Sequence, residues 1–427
     1  MASKRPSLGE ATRAWAEIGV LSFGGPSAQI ALLHRKVVDE KTWLTERQYL
    51  NALGFCMLLP GPEAMQLATY VGWRLHGLIG GLAAGLLFVL PGAAVVLALA
   101  LIYGLYDDAP ALDAVFLGVK AAVLVIVIEA LLRVANRALK GADHWALAGL
   151  AFAALFFLDL PFPLVIFAAA AWGFWRGGAQ PEPGEPADLS GGPASLARLL
   201  RTVALWGAIW LGPILVLWLA LGDHVLVEIA VFFSKLAVVT FGGAYAVLAY
   251  MAQDVVNAYG WLTAGEMMDG LGLAETTPGP LILVTEFVGF LAAFRDGGVW
   301  LGIAGAAITL WVTFAPCFLW IFAGAPYIEA ISSRPRLQGA LGGITAAVVG
   351  VILNLSIWFA LNVLFGAVTA EKLGPARIWT PELASFDPRV AGLAALAGVL
   401  LFGLKWSVAR TLAAAAAGGL GLMAAGL

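Results

Sequence analysis

The chain is 427 residues long, 61% hydrophobic and only 12% charged, with a formal net charge of −3. That much apolar surface exceeds what a water-soluble fold of this length hides, so the composition reads as a polytopic membrane protein. No basic excess points to nucleic acid as a partner. Two cysteines, Cys56 and Cys317, and four scattered histidines exclude a disulfide framework and offer no metal-ligand spacing, so neither a metal nor a cofactor is expected.

In chain order, the polar N-terminus gives way to an apolar run that charges and glycines interrupt at once, which does not fit a cleavable signal peptide. Residues 11–22 and 26–37 each follow a helical pattern, divided by Gly24-Gly25-Pro26. Each piece of about 12 residues reaches roughly 18 Å, too short for a hydrocarbon core of about 30 Å. Residues 49–59 and 63–74 repeat the arrangement around Pro60-Gly61-Pro62. Long apolar helices are predicted at about 77–105 and 111–139, with shorter ones near 143–159 and 161–175. The Gly-, Pro- and acid-rich stretch 177–197 reads as a flexible polar linker. A helix at about 201–220 leads into broken segments 225–252 and 266–291, helices 298–325 and 338–366, a mixed loop to Arg389 and two closing helices. The expected organisation is a first repeat over 1–176, a cytoplasmic linker over 177–200 and a second repeat over 201–427.

The second set of breaks copies the first. Phe23-Gly24-Gly25, Trp43-Leu44-Thr45 and Pro60-Gly61-Pro62 recur 218 positions later as Phe241-Gly242-Gly243, Trp261-Leu262-Thr263 and Pro278-Gly279-Pro280, with 15 identities over 40 ungapped positions. Further on the offset drifts to 225, where Pro91 falls on Pro316, and Gly118, Ala121, Ala122 and Val123 fall on Gly343, Ala346, Ala347 and Val348. Paired interruptions of this kind in the two halves of a membrane chain point to a transporter's binding site.

Charge sets the direction of each copy. The loop after the first break holds Arg35, Lys36, Lys41 and Arg47, whereas its counterpart, Gln253 to Glu266, has no Lys or Arg. The next loop is acidic in copy one (Asp107, Asp108, Asp113) and carries Arg334 and Arg336 in copy two. By the positive-inside rule the copies are inverted. An odd number of crossings must separate the two copy-one loops, yet two apolar segments lie between them, so 49–74 re-enters. Lys4, Arg5 and Arg13 place the N-terminus in the cytoplasm as well, which makes 11–37 a second re-entrant hairpin. The expected fold is an all-α polytopic membrane protein of two inverted-topology repeats, each with two re-entrant broken-helix hairpins plus spanning helices.

The half-helices that start at Pro26, Pro62, Ala244 and Pro280 would gather free backbone N–H groups and positive dipole ends, an arrangement suited to an anion. Ser22, Ser27, Thr240, Thr276 and Thr277 are hydroxyl donors beside them. One motif alone reads more readily as a kink between packed helices; recurrence in both copies favours the site. Lys120 sits about nine residues into a very apolar helix, where a charge costs about 3 kcal/mol or more; it reads equally as a fixed cation for the anion or as half of an ion pair with Glu63 or Glu129. Glu63, Glu275 and Glu286 are candidates for coupling protons to transport, against the simpler reading of Glu63 as a helix-start acid. Glu129 and Arg133 read as a plain i, i+4 pair. Gln29, Gln66 and Asn354 are candidate neutral donors. No nucleotide-binding Gly-x-x-x-x-Gly-Lys-Ser/Thr loop occurs, and no flavin, haem or iron–sulfur ligand pattern supports an enzyme.

Phe23-Gly24-Gly25-Pro26, the stretch from Leu58 through Pro60-Gly61-Pro62-Glu63 to Tyr70-Val71-Gly72-Trp73, and Glu275-Thr276-Thr277-Pro278-Gly279-Pro280 together resemble the chromate ion transporter (CHR) family in its long two-domain form. The likeness covers nearly the whole chain and is weakest in the linker and the last two helices. It implies a secondary transporter of the bacterial inner membrane that exports chromate and confers chromate resistance. The alternatives are a carrier of sulfate or another oxyanion, and an anion channel. Carried over residue by residue, the family motifs implicate Gly24, Gly25, Pro26, Pro60, Gly61, Pro62 and Glu63, with Gly242, Gly243, Pro278, Gly279 and Pro280. Copy two departs at Ala244 and at Leu281, which replaces Glu63, so the copies are expected to divide the work unequally. The oxyanion and the lipid bilayer are the expected partners; the sequence is compatible with both a single chain and a homodimer.

Overall fold

The computed structural model describes residues 6–106, 109–177, 196–241, 244–328, 334–374 and 376–426. Gly242, Gly243, Lys4, Arg5, Asp107, Asp108 and most of the expected linker lie outside the described residues. The helices are α1 (Leu8–Leu21), α2 (Gly25–His34), α3 (Glu46–Cys56), α4 (Glu63–Leu105), α5 (Pro110–Ala138), α6 (Ala142–Phe156), α7 (Phe162–Arg176), α8 (Leu196–Leu221), α9 (Val225–Val239), α10 (Ala244–Gln253), α11 (Ala264–Thr276), α12 (Val284–Gly324) and α13 (Pro335–Leu364). A β-hairpin, β1 (Val368–Leu373) and β2 (Ala376–Pro381), precedes α14 (Pro388–Gly398) and α15 (Val408–Ala424).

The repeat is visible at the level of single hydrogen bonds. Each first half-helix that follows a Gly-Gly break runs on into a π-helical turn, Arg35–Glu40 after α2 and Asp254–Ala258 after α10. The tryptophan of each Trp-Leu-Thr motif closes that turn: Trp43 N–H donates to the Val37 carbonyl at 2.8 Å and Trp261 N–H to the Val255 carbonyl at 3.0 Å. The leucines, Leu44 and Leu262, are buried. The threonines then cap the next helix, Thr45 in a capping box with Gln48 and Thr263 in the matching exchange with Glu266. Local backbone geometry therefore accounts for this motif in full.

α4 and α12 are each two antiparallel limbs. His76 and Gly77, and Gly297 and Gly298, leave helical geometry. A Cβ on Gly72 would lie 2.3 Å from the Gly80 carbonyl oxygen, whereas eight residues of straight helix span about 12 Å. In copy two, a Cβ on Gly305 would lie 2.4 Å from the Gly289 carbonyl oxygen. Small residues let the limbs touch backbone to backbone. The boundaries expected near 77 and 298 fall at these reversals.

Copy two has one residue fewer between its Pro-Gly-Pro and the triplet Val288-Gly289-Phe290 than copy one has before Val71-Gly72-Trp73. It recovers the length by starting with a 3₁₀ turn, Leu281–Leu283. Three residues rising about 2.0 Å instead of about 1.5 Å make up one helical residue.

Among the described residues five helices are long and apolar enough, by length and composition, to cross a membrane: Glu63–Leu105, Pro110–Ala138, Leu196–Leu221, Leu281–Tyr327 and Pro335–Leu364. α8 shows why one face of such a helix needs no water. It exposes Leu200, Leu205, Leu211, Leu215 and Leu219, and packs Trp206 stacked on Phe318 and tilted against Phe322. Its described part already includes Leu196, ahead of the expected position near 201.

The chain divides into two compact units, and each draws on both copies. The first comprises Met1–Ala100, Gly177–Ala244 and Thr277–Gln338; the second comprises Leu101–Arg176, Tyr245–Thr276 and Gly339–Leu427. In the first, α12 packs against α8 and α9. In the second, α5 packs against α11, α14 and α15, with Ala121, Val390 and Leu393 buried together. The β-hairpin, in the stretch expected to be a mixed loop, is held there by Arg377, whose N–H donates to the Phe157 carbonyl at 2.6 Å and whose guanidinium pairs with Asp159. β1 is exposed on nearly all its length, and β2 alternates only between half-buried and exposed residues, so no strong period-two hydrophobic pattern marks them in the sequence.

Candidate functional site

Three of the four breaks, together with Thr240 and Phe241 leading into the fourth, belong to the first unit. Two backbone hydrogen bonds tie them crosswise. Gly61 N–H donates to the Thr240 carbonyl at 2.8 Å, and Gly279 N–H donates to the Ser22 carbonyl at 2.9 Å. Gly61 and Gly279 are 218 positions apart, and so are Ser22 and Thr240. The same bond is therefore made twice, each time from the second break of one copy to the first break of the other, in the reciprocal manner of a two-fold contact.

Local geometry explains how each helix starts here. Gly24, at φ 88°, caps α2, with Gly25 as the first helical residue and Pro26 in the first turn. Gly25, the expected cap, is also left-handed at φ 75°, so both glycines turn the chain into the helix and Pro26 is the first residue with an ordinary φ. At the second break the Pro62 carbonyl accepts from Gln66 N–H at 3.1 Å, so Pro62 is the cap and Glu63 the first helical residue, one later than expected. In copy two the Pro280 carbonyl accepts from Leu283 N–H at 2.9 Å, the shorter reach of the 3₁₀ turn. The first N–H groups of a helix have no intrahelical acceptor. The starts of α2 and α4 thus present backbone donors and positive dipole ends in a region that is itself cross-tied by backbone.

Two glutamines of copy one brace this region. Gln29 Nε2 donates to the Gly279 carbonyl at 2.6 Å and to the Ser22 carbonyl at 3.3 Å, bridging both ends of one cross-tie. Gln66 Nε2 donates to the Pro60 carbonyl at 2.6 Å, and its Oε1 is buried with no hydrogen-bond partner among the described residues. Copy two has Val247 and Val284 in register with them, so it contributes no matching amides. Ser22 Oγ is buried and has no hydrogen-bond partner among the described residues, while the Thr240 hydroxyl donates to the Leu236 carbonyl at 2.6 Å. Thr277, Pro278, Gly279 and Pro280 are buried, Pro60, Pro62 and Glu63 half-buried, and Ser27 exposed. The Pro278 carbonyl lies against the return limb of α4, 2.1 Å from where a Cβ on Gly92 would stand.

The remaining candidates separate between the units. Glu286 is in the first, fully buried, with neither carboxyl oxygen hydrogen-bonded among the described residues. Lys120, Glu275 and Thr276 are in the second. Lys120 Nζ lies 3.3 Å from Asp269 Oδ2, and the Tyr103 hydroxyl donates to the same oxygen at 2.9 Å. Asp269 was not foreseen as the partner of Lys120; Glu129 pairs with Arg133 along its own helix. The only sequence signal for Asp269 is a single acid inside the apolar run of α11, where copy one has Asn51. Glu275 accepts from the Tyr245 hydroxyl at 2.5 Å, the Thr276 hydroxyl turns back to the Leu273 carbonyl at 2.8 Å, and Asn354 is buried with its Oδ1 unpartnered. A cleft in the second unit lined by Ala170, Ala171, Trp172, Phe174, Trp175 and Ala340 offers an anion no side-chain donor suited to its charge. Among the described residues no three His, Cys, Asp or Glu side chains converge as metal ligands.

A family described as chromate transporter matches the chain twice, over residues 9–174 and 227–422. The two matched regions begin 218 positions apart, the offset of the repeat. The chain is 33% identical to the chromate transport protein of Pseudomonas aeruginosa over 84% of its own length and 80% of that protein. It is 29% identical to the chromate transport protein of Cupriavidus metallidurans, with 91% of each covered. It is 28% identical to a probable chromate transport protein of Synechococcus elongatus, over 93% of the chain and 96% of that protein. No solved structure matches it. Two whole copies of the family pattern, in register with two cross-tied pairs of helix breaks, place this chain in the chromate transporter family.

Proposed function

We propose that the chain is a secondary transporter that carries chromate, a tetrahedral dianion, out of the cytoplasm across the inner membrane and so confers chromate resistance. The cross-tied breaks are the observation that carries this reading. They bring helix starts, with unshared N–H groups, into one braced region, and backbone donors suit an oxyanion better than any cationic or apolar substrate. Relatives named as chromate transport proteins supply the substrate. An inside-negative membrane potential favours export by about 2.3 kcal/mol per charge per 100 mV, so a dianion needs no nucleotide. In proteoliposomes the purified chain is expected to give saturable chromate flux, accelerated when the receiving side is positive. Flux no greater than in empty liposomes at every voltage overturns the reading.

The topology belongs to the same proposal: two inverted repeats, a cytoplasmic N-terminus and linker, and re-entrant hairpins at 11–37 and 49–74. The reciprocal cross-ties and the basic loop of copy one support it. The two native cysteines are both buried, so introduced ones report cleanly. A cysteine at Lys41 is expected to react with an impermeant thiol reagent only from the cytoplasmic side, and one at Tyr259 only from the outside. Labelling of both from the same side removes the inversion.

A further inference from the structure

We propose that Glu286 is the proton site of transport: it holds one proton whenever the oxyanion occupies the breaks, so that each dianion moves with one proton and one net negative charge. This rests on the chromate reading above and adds the coupled ion to it.

Glu286 stands in the first turn of α12 with no exposed surface, and neither carboxyl oxygen has a partner. Among the described residues no charged group pairs with it. The helices packed against α12 carry Arg198 and Arg201 on α8, Glu228 and Lys235 on α9 and Arg74 on α4, all exposed, with Glu63 and His76 of α4 half-buried. On its own helix Arg295 and Asp296 are exposed beside the reversal, and the return limb, 299–324, has no charged residue and one thiol, Cys317. An ionised carboxylate here is desolvated with no neighbour to offset it. The neutral acid has an O–H to give, and no protein group takes it.

The register of the α12 hairpin says where that O–H leads. A Cβ on Gly289 would lie 2.0 Å from Thr309 Oγ1, so these two positions face one another. Glu286 is one turn before Gly289, and Thr313 is one turn after Thr309 on the antiparallel limb, which puts the two at one level. Thr313 Oγ1 is buried and also unpartnered. One turn beyond, Cys317 Sγ donates to the Thr313 carbonyl and lies 2.9 Å from where a Cβ on Gly61 would stand, with Gln66 Nε2 at 2.7 Å from the same point. A line of polar groups therefore runs from Glu286 past Thr313 and Cys317 to Gln66 and the Pro60-Gly61-Pro62 break. Buried polar atoms are partnered as a rule, and this line holds three kinds that are not: the Glu286 carboxyl, Thr313 Oγ1 and Gln66 Oε1. When Val288-Gly289-Phe290 is aligned with Val71-Gly72-Trp73, copy one has Thr69 at this place, its hydroxyl satisfied by the Met65 carbonyl at 2.9 Å. The acid is thus a feature of one copy alone.

The charge logic follows from linkage. A dianion at the breaks favours the uncharged form of a nearby carboxyl, and by reciprocity the proton on that carboxyl favours the dianion by the same factor. The proton is taken from water on the loading side and returned to water on the release side.

The test is the voltage of zero net chromate flux in proteoliposomes, with both compartments alkaline enough to keep chromate a dianion. With one proton per dianion, a tenfold chromate gradient is balanced by about 59 mV, and a tenfold proton gradient adds about 59 mV more. Without a proton, the balance is about 29.6 mV per tenfold chromate and no response to the proton gradient. The wild-type chain is expected to show the first pattern. Glu286→Gln, which keeps a donor, is expected to carry chromate with the second. A wild-type chain that carries chromate in the second pattern overturns the Glu286 assignment and leaves the transport reading standing; this measurement decides even if the variant does not fold. A wild-type chain with no flux overturns both.

Discussion

Gly61→Ala and Gly279→Ala are each expected to lower chromate flux at least tenfold while the purified protein still melts cooperatively. Both glycines have positive φ, 120° and 89°. A left-handed conformation costs an alanine about 1–2 kcal/mol. Space is short as well: a Cβ at Gly61 would meet Gln66 Nε2 at 2.7 Å and Cys317 Sγ at 2.9 Å, and one at Gly279 would meet Leu283 Cδ1 at 2.8 Å. These are side-chain atoms that move aside, so the chain folds. What moves is the cross-tie, because each glycine's own N–H makes it. Loss of a buried hydrogen bond costs about 1 kcal/mol of stability, but a displacement of about 1 Å at a site can cost about 100-fold in rate. Gly54→Ala on α3, with nothing within 4 Å of the added carbon, is the matched control and is expected to transport normally. Undiminished flux in Gly61→Ala or Gly279→Ala would separate the cross-ties from transport.

The second large effect concerns the ion pair of the second unit. Lys120→Met leaves Asp269, whose side chain is 3% exposed, as a buried carboxylate without its cation. Removing one partner of a buried pair costs about 3–5 kcal/mol, and this is expected to be the most destabilising of the set. Asp269→Asn costs less, since the Lys120 side chain is 29% exposed and can extend toward water. Lys120→Met/Asp269→Asn removes both charges, preserves volume and leaves Tyr103 an acceptor, so it is expected to recover most of the loss. Melting of the three variants in detergent closes a double-mutant cycle, with a coupling of at least about 1.5 kcal/mol expected. Flux through the recovered double variant then decides the role of the lysine. Wild-type rates assign Lys120 to structure; a stable protein that has lost chromate affinity assigns it to the substrate.

These two sites show what the sequence displays and what it hides. The breaks were legible because glycine and proline punctuate a helix wherever they stand, and because two copies in register exclude coincidence. Their helix starts came out within one residue, because at the Pro-Gly-Pro breaks the second proline serves as cap rather than as first helical residue. Gln29 and Gln66 were legible as amides in apolar surroundings, although not as braces on carbonyls. The cross-ties were not legible at all, since a backbone N–H and a backbone carbonyl carry no side-chain code and their pairing depends on tertiary approach. Asp269 was hidden for a related reason: an acid in the middle of α11, between Glu266 and Glu275, names no partner, and Glu129, nearer in sequence to Lys120, was already satisfied by Arg133. Nor does repeat order foretell the compact units, because contacts between segments far apart in the chain decide them.

The reciprocal cross-ties also set a timetable for synthesis. Gly61 waits for Thr240, and Ser22 waits for Gly279, each more than 170 residues further along the chain. At roughly 5–20 residues per second, the first copy leaves the ribosome with its Gly61 N–H and Ser22 carbonyl unanswered for about ten to fifty seconds. During that interval the nascent protein holds two interrupted helices whose intended partners do not yet exist. Closing these two bonds is therefore closer to the assembly of two subunits than to the growth of one domain.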